Sequence, residues 1–304
     1  YGDHRDLHYP LRRPASDVYK RQLKRVSPIL ERKTETELLN LAPEPWKILK
    51  CLETDIVFLE NPPGYEALKE EFAWEKTYQS EVESKQNAEP LRYKVSSFAK
   101  EYRHKVLKRN KVKDLSKKCI LKKKNKNNIQ LLDVGCADGG ALETIISELP
   151  SSYHSKCIPN GIEISAELAN KAKINAKRGI WVHNNAVDGM LEFQDSFFDV
   201  VVLSSFLEHE INPLSLLKNT FIKLKDKGNV IIKVPNFDSW NRHLRKEKWC
   251  GFRHPDHVNY FTPKTLKDIS LRSGFKKFSM GFLDRQPLSD SMYAVLEKTI
   301  SNTF

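Results

Sequence analysis

The chain has 304 residues, of which 39% are hydrophobic and 30% charged, and carries a formal net charge of +12. That length admits one full α/β domain with an extension and an ordinary buried core. No window approaches the roughly 20 apolar residues of a membrane span and no charged-then-apolar opening marks a secretory signal, so a cytoplasmic protein is expected. The cysteines, Cys51, Cys119, Cys136, Cys157 and Cys250, are scattered without close C-x-x-C pairing, which sets aside a zinc ribbon or redox motif and leaves free thiols. A basic surplus can serve phosphate neutralisation. Here it is mostly Lys beside Asn and Ile, as in Leu121-Lys-Lys-Lys-Asn-Lys-Asn-Asn128, with no interleaved aromatic residues to stack bases. A nucleic-acid partner therefore stays open without being favoured.

In chain order, the opening Tyr1 to Gln22, with the string Ser16-Asp-Val-Tyr-Lys-Arg-Gln22, resembles translated adapter sequence, and folded sequence is expected from about Leu23. From residue 23 to 118 the text is charged and helix-friendly, and a helical cap is expected. It is interrupted by the apolar Asp55-Ile-Val-Phe-Leu59 and the turn signal Asn61-Pro-Pro-Gly64. Tyr65 to Gln79 reads as an amphipathic helix.

The pattern changes at Ile129 to Asp133, where an apolar run enters Val134-Gly-Cys-Ala-Asp-Gly-Gly140 and an apolar helix follows to Leu149. A second strand is expected at 156–164, with a helix at 166–177 opened by Ser165 as N-cap. Trp181-Val182 suggests a short third strand, Phe198 to Ser204 a buried one, Pro213 to Leu224 a helix and Asn229 to Val234 another buried strand. Strands alternating with helices predict a mostly parallel sheet covered on both faces, from residue 119 to the end. After a helix at Pro263 to Ser273, the strands Phe275 to Leu283 and Ser291 to Glu297 have no helix between them, so an antiparallel last pair is expected.

Three constellations carry chemistry. Asp133-x-Gly135-x-Ala137-x-Gly139-Gly140 lies between a strand and a helix, where small residues let the backbone approach a ligand at a helix N-terminus. It fits the dinucleotide pattern G-x-G-x-x-G poorly, since Ala137 stands at the second Gly. Asp133 suits a ligand with an ammonium group, and a tight turn without ligand is the bland alternative. Glu163, in Gly161-Ile-Glu-Ile-Ser165, ends the second strand, where a carboxylate can accept from both hydroxyls of a ribose. Ser204, Ser205 and His209 follow the strand from Phe198, at the edge where open α/β sheets bind ligands. Glu208, His209 and Glu210 could instead ligate a divalent ion, but adjacent residues seldom aim at one ion, and no metal is expected.

From about Cys51 onward these motifs, taken in order, resemble the S-adenosylmethionine (SAM)-dependent methyltransferases of the ubiquinone-biosynthesis-like group. Asp133-Val-Gly-Cys-Ala-Asp-Gly139 matches the first motif and Gly161-Ile-Glu-Ile-Ser165 the second-strand acid. Phe197-Phe-Asp-Val-Val-Val202 with Leu207-Glu-His209 and Asn212-Pro213 is similar to the fourth-strand signature, and Leu224-Lys-Asp-Lys-Gly228 with Val234-Pro-Asn236 to the fifth. The resemblance implies a seven-stranded Rossmann-like sheet with a reversed last strand, and SAM as methyl donor. It implies cofactor contacts at Asp133, Gly135, Cys136, Ala137, Gly139, Glu163, Ile164, Ser204 and Ser205. Adenine contacts would fall at Ala186 and Val187, although Asn184-Asn-Ala-Val-Asp188 allows two registers.

The stretch Trp249 to Pro263 resembles the family's H-x-x-x-F-[ST]-x-x-[ST]-L segment, with His257, Phe261, Thr262, Thr265 and Leu266 in matching places. Its histidines and aromatics suit an acceptor pocket. His257 is the first candidate for a base that deprotonates the acceptor and His209 the second, against the alternative that His257 caps a helix or packs a lid. The expected activity is methyl transfer to an O, N or C atom of a small molecule or glycan. Methylation of RNA or protein through the basic surface and SAM binding without catalysis are the competing readings.

Overall fold

The computed structural model describes residues 24–65, 110–123, 127–176, 178–287 and 289–299. The adapter-like opening, nearly all of the expected helix from Tyr65 and the segment 66–109 lie outside the described residues.

Apolar runs form strands exactly where burial on both faces demands them. Strands β4 (Ile129–Val134), β5 (Cys157–Glu163), β6 (Trp181–His183), β7 (Phe198–Ser204), β8 (Leu224–Pro235), β10 (Lys277–Ser279) and β11 (Ser291–Glu297) join in one sheet of order β10-β11-β8-β7-β4-β5-β6. The five strands from β4 to β8 pair in parallel, and β11 runs antiparallel to both β8 and β10. This is the Rossmann-like arrangement with a reversed strand near one edge.

Side chains alternate across the sheet, as a period of two requires. Leu132, Val134, Val201, Leu203 and Ile232 meet Met190, Leu216, Leu217, Leu266 and Ile269 on one face. Ile129, Leu131, Val200, Val202 and Ile231 meet Cys119, Ile120, Leu142, Ile145 and Ile146 on the other. Local signals place the covering helices. Ser165 caps Ala166–Asn175 by accepting from Leu168 N, Asn185 caps Ala186–Leu191, and Thr262 and Thr265 form a reciprocal capping box at the start of Pro263–Arg272.

The expected helical cap is corrected where it is described. Instead of helices, residues 36–59 form three short antiparallel strands, β1 (Thr36–Leu39), β2 (Ile48–Cys51) and β3 (Val57–Leu59). A fourth strand, β9 (Asn259–Tyr260), comes from the far end of the chain and pairs with β3 through Val57↔Tyr260 and Phe58↔Asn259. Its partner lies some two hundred residues away, so local sequence cannot announce the sheet. The helix Lys111–Leu121 crosses the expected boundary at residue 118 and packs on the parallel sheet through Cys119 and Ile120. A further core joins Ile48, Val57 and Leu59 to Phe237, Trp249, Val258 and Tyr260. No helix among the described residues is long and apolar enough to cross a membrane.

Candidate active site

The chain runs from β4 outward to β5 and β6, then returns to β7 on the other side of β4. The topological switch therefore falls between β4 and β7, the place at which open α/β sheets bind ligands. Asp133, Gly135, Cys136, Ala137 and Gly139 lie at the end of β4, Glu163 and Ile164 at the end of β5, Ala186 and Val187 after β6, and Ser204 and Ser205 at the end of β7. Every expected cofactor residue thus falls on one edge of the sheet.

The first loop is bound to the second strand by its backbone. Gly135 and Cys136 both donate to the Ile162 carbonyl at 2.9 and 3.2 Å. Glu163 accepts from Ala137 N through Oε2 and from Ser165 N through Oε1, each at 2.9 Å. Gly135 and Gly139 hold φ of +73° and +81°, and Ala137 adopts +49°, a left-handed path that a glycine-poor loop could not follow without strain. A Cβ at Gly135 would lie 2.6 Å from the Phe206 ring, so the loop and the segment after β7 are in direct contact. Cys136 is buried, with its sulfur packed over Gly161, so its side chain faces away from solvent.

Asp133 is buried beside Glu163. Burial first and the second carboxylate next push its acid up to about 8. Two buried acids at adjacent strand ends form a site that favours a cationic, hydroxyl-bearing ligand.

The two expected catalytic histidines also meet. His209, after β7, and His257, before β9, pack edge to face with ring centroids 4.6 Å apart. His209 Nδ1 lies 3.0 Å from the Asp256 carbonyl and His257 Nδ1 2.8 Å from the Gly251 carbonyl. A carbonyl only accepts, so each ring carries a proton on Nδ1. Burial first, then the nearby Arg253 charge, lowers His209 to about 4, so it is neutral at physiological pH. Glu208 joins the pair, while Glu210 turns away to accept from Tyr65 Oη and from Asn212 N at 2.8 Å.

Sequence reading missed the groups that hold this corner in place. The Arg25 guanidinium donates to the carbonyls of Val258 at 2.8 Å and Ile211 at 2.7 Å, to Leu59 O at 3.3 Å and to Asn259 Oδ1 at 2.7 Å. Burial lowers its pKa to about 10, opposed by the charge of Glu210. Asn259 in turn donates to Leu207 O at 3.0 Å and Glu210 O at 2.7 Å. An arginine near the start of a charged segment carries no local mark of such a role.

A family model for a methyltransferase domain matches residues 99–279. An uncharacterized protein of Methanocaldococcus jannaschii, MJ1123, is 31% identical over 116 residues, covering 38% of this chain and 55% of its own; the chain thus spans about half the length of this curated relative. Among solved structures, the plantazolicin methyltransferase BamL, solved with a triazolic desmethylPZN analog and SAH, is 14% identical with a TM-score of 0.50, covering 72% of this chain and 95% of its own. A SAM-dependent methyltransferase from Archaeoglobus fulgidus is 20% identical with a TM-score of 0.43, covering 61% and 94%. At these identities the structural likeness concerns the fold.

Proposed function

The chain belongs to the family of SAM-dependent methyltransferases, and from that premise we propose that it methylates an oxygen, nitrogen or carbon atom of a small molecule or glycan. The observation that carries this reading is the buried pair Asp133 and Glu163 at neighbouring strand ends, joined to the glycine loop through Ala137 N.

Asp133 holds the ammonium of the donor, and the Glu163 carboxylate takes the ribose hydroxyls. The left-handed turns at Gly135, Ala137 and Gly139 bring backbone close to the methionine part, with Cys136 contributing main chain. Ile164, Ala186 and Val187 border the adenine, and Ser204 and Ser205 line the side toward β7. Bound SAM supplies a methyl carbon on a positively charged sulfonium, open to in-line attack. The protein's own contribution is then chiefly positioning, with a proton acceptor required only for a poorly nucleophilic acceptor. His257 Nε2 is placed to take that proton. His209, lowered to about 4 by burial, orients its neighbour through the ring contact. The aromatic segment from Phe237 to Tyr260, packed on the small sheet, forms the acceptor side.

Isothermal titration with S-adenosylhomocysteine, NAD and a short mixed-sequence RNA tests this reading. Micromolar binding of S-adenosylhomocysteine alone is expected. Preference for NAD would overturn the cofactor assignment, and tight RNA binding would move the acceptor to nucleic acid.

A further inference from the structure

Glu208, His209 and His257 form the one cluster of metal-ligating side chains among the described residues, with candidate ligand atoms within 4.8 Å of one another. We propose that these three side chains bind one divalent transition-metal ion of the zinc class, leaving at least one coordination position for an oxygen ligand.

Two independent features point to an ion. The first is an orphaned acid. Glu208 is 1% exposed, and its Oε2 is sealed from solvent with no hydrogen-bond partner. A buried carboxylate oxygen left unpaired costs several kcal/mol unless a proton or a cation meets it.

The second feature is the tautomer of both imidazoles. Each Nδ1–H is committed to a backbone carbonyl, Asp256 for His209 and Gly251 for His257. Metal-binding histidines are ordinarily oriented by an outer hydrogen bond of this kind, which fixes the ring. Two imidazoles and one carboxylate with an open position make the ligand set of catalytic zinc sites and of non-haem ferrous sites. Bonds of about 2.0–2.2 Å place ligand atoms roughly 3.3 Å apart around one ion, so drawing the widest pair together by about 1.5 Å completes the site.

The sequence argument against a metal assumed that the ligands would be the adjacent Glu208, His209 and Glu210. The fold substitutes His257, from a segment about fifty residues later, for Glu210. The site also lies next to the cofactor loop, because Phe206, two residues before Glu208, packs on Gly135. If methyl transfer is the activity, an ion here claims the Nε2 lone pair of His257 and lowers the proton affinity of an acceptor hydroxyl itself, removing the need for a side-chain base. Only that use rests on the proposed activity; the binding site does not.

The test uses the full chain, stripped with chelator and titrated separately with Zn(II) and Co(II). One equivalent is expected to bind at micromolar concentration or tighter, and Glu208→Gln and His257→Gln are each expected to weaken it at least about 100-fold while Cys250→Ser leaves it unchanged. X-ray absorption of the zinc-loaded parent needs no variant and is expected to show only nitrogen and oxygen donors, with imidazole scattering. No binding at 100 μM metal, a sulfur shell, or undiminished binding by both folded variants overturns the site. S-adenosylhomocysteine titration of the same proteins separates the outcomes, since a failed metal site leaves cofactor binding intact and a failed cofactor assignment leaves the metal result standing.

Discussion

Glu163 reaches the glycine loop across 26 residues, whereas Arg25 reaches Val258 across 233. The cofactor edge is assembled from consecutive strand-loop-helix units, each able to set its own loop. The histidine corner is assembled from the first described residues, the segment after β7 and the strand β9. The first region is modular and tolerates damage elsewhere. The second is only as sound as its most distant contact, so its geometry and the small sheet stand or fall together.

The sharpest way to break that contrast is Arg25→Ala. Four acceptors lose a shared donor, and Glu210 loses its nearest cation. The expected cost is about 2–3 kcal/mol, read as a lowered urea midpoint. Binding of S-adenosylhomocysteine should stay within about threefold of the parent at temperatures where the variant is folded; a proportionate loss of both would show that the two regions are one cooperative unit.

Glu163→Ala attacks the other side. It removes the acceptor for Ala137 N and Ser165 N together with the proposed ribose contact. Two charge-assisted hydrogen bonds at about 1.5 kcal/mol each correspond to about 100-fold weaker S-adenosylhomocysteine binding by calorimetry. Unchanged affinity would refute the cofactor register, whatever happens to stability.

A pH series sharpens the role of Asp133. Its acid, raised to about 8, is mostly protonated at pH 6.5 and must release that proton before it can face an ammonium. Affinity for S-adenosylhomocysteine should therefore rise with pH, by about tenfold between pH 6.5 and 7.5, and Asp133→Asn should flatten the profile. A flat profile in the parent would remove Asp133 from the ammonium site.

At the small end, Lys264→Ala breaks an ion pair with Asp55 that links the small sheet to the helix Pro263–Arg272. Lys264 is 76% exposed, and solvent screening leaves such pairs nearly without effect. No measurable shift in the thermal midpoint is expected. A clear shift would mean that the two regions are fastened at their surface as well as through Arg25.

Much of this architecture was legible in residue order. Phe198 to Ser204 formed the expected strand with both ends in place, Ser165 capped its helix, and the antiparallel pair closed the sheet. The strand at Asn229 to Val234 proved longer, Leu224–Pro235, because Leu224 still pairs with Phe198 across a register irregularity and Lys227 N donates to Lys298 O at 2.9 Å. The stretch 36–59 was misread as helical because its charged residues hid strands of three or four residues too short to show a period. The candidate site divided in the same way. Glu163 and the glycine loop could be paired from spacing alone, but neither Arg25 nor Asn259 could be seen as the groups that set His257 beside His209.

Sequence by itself determined the parallel sheet, its glycine turn and the acid at the end of the second strand. Hydrophobic runs, caps and backbone freedom act over a few residues and are written locally. Tertiary structure alone decided that β9 joins the N-terminal strands, that Glu210 turns toward Tyr65, and that Glu208 and the two histidines converge. Those outcomes depend on which distant groups satisfy one another once water is excluded, a condition that no local pattern of residues records.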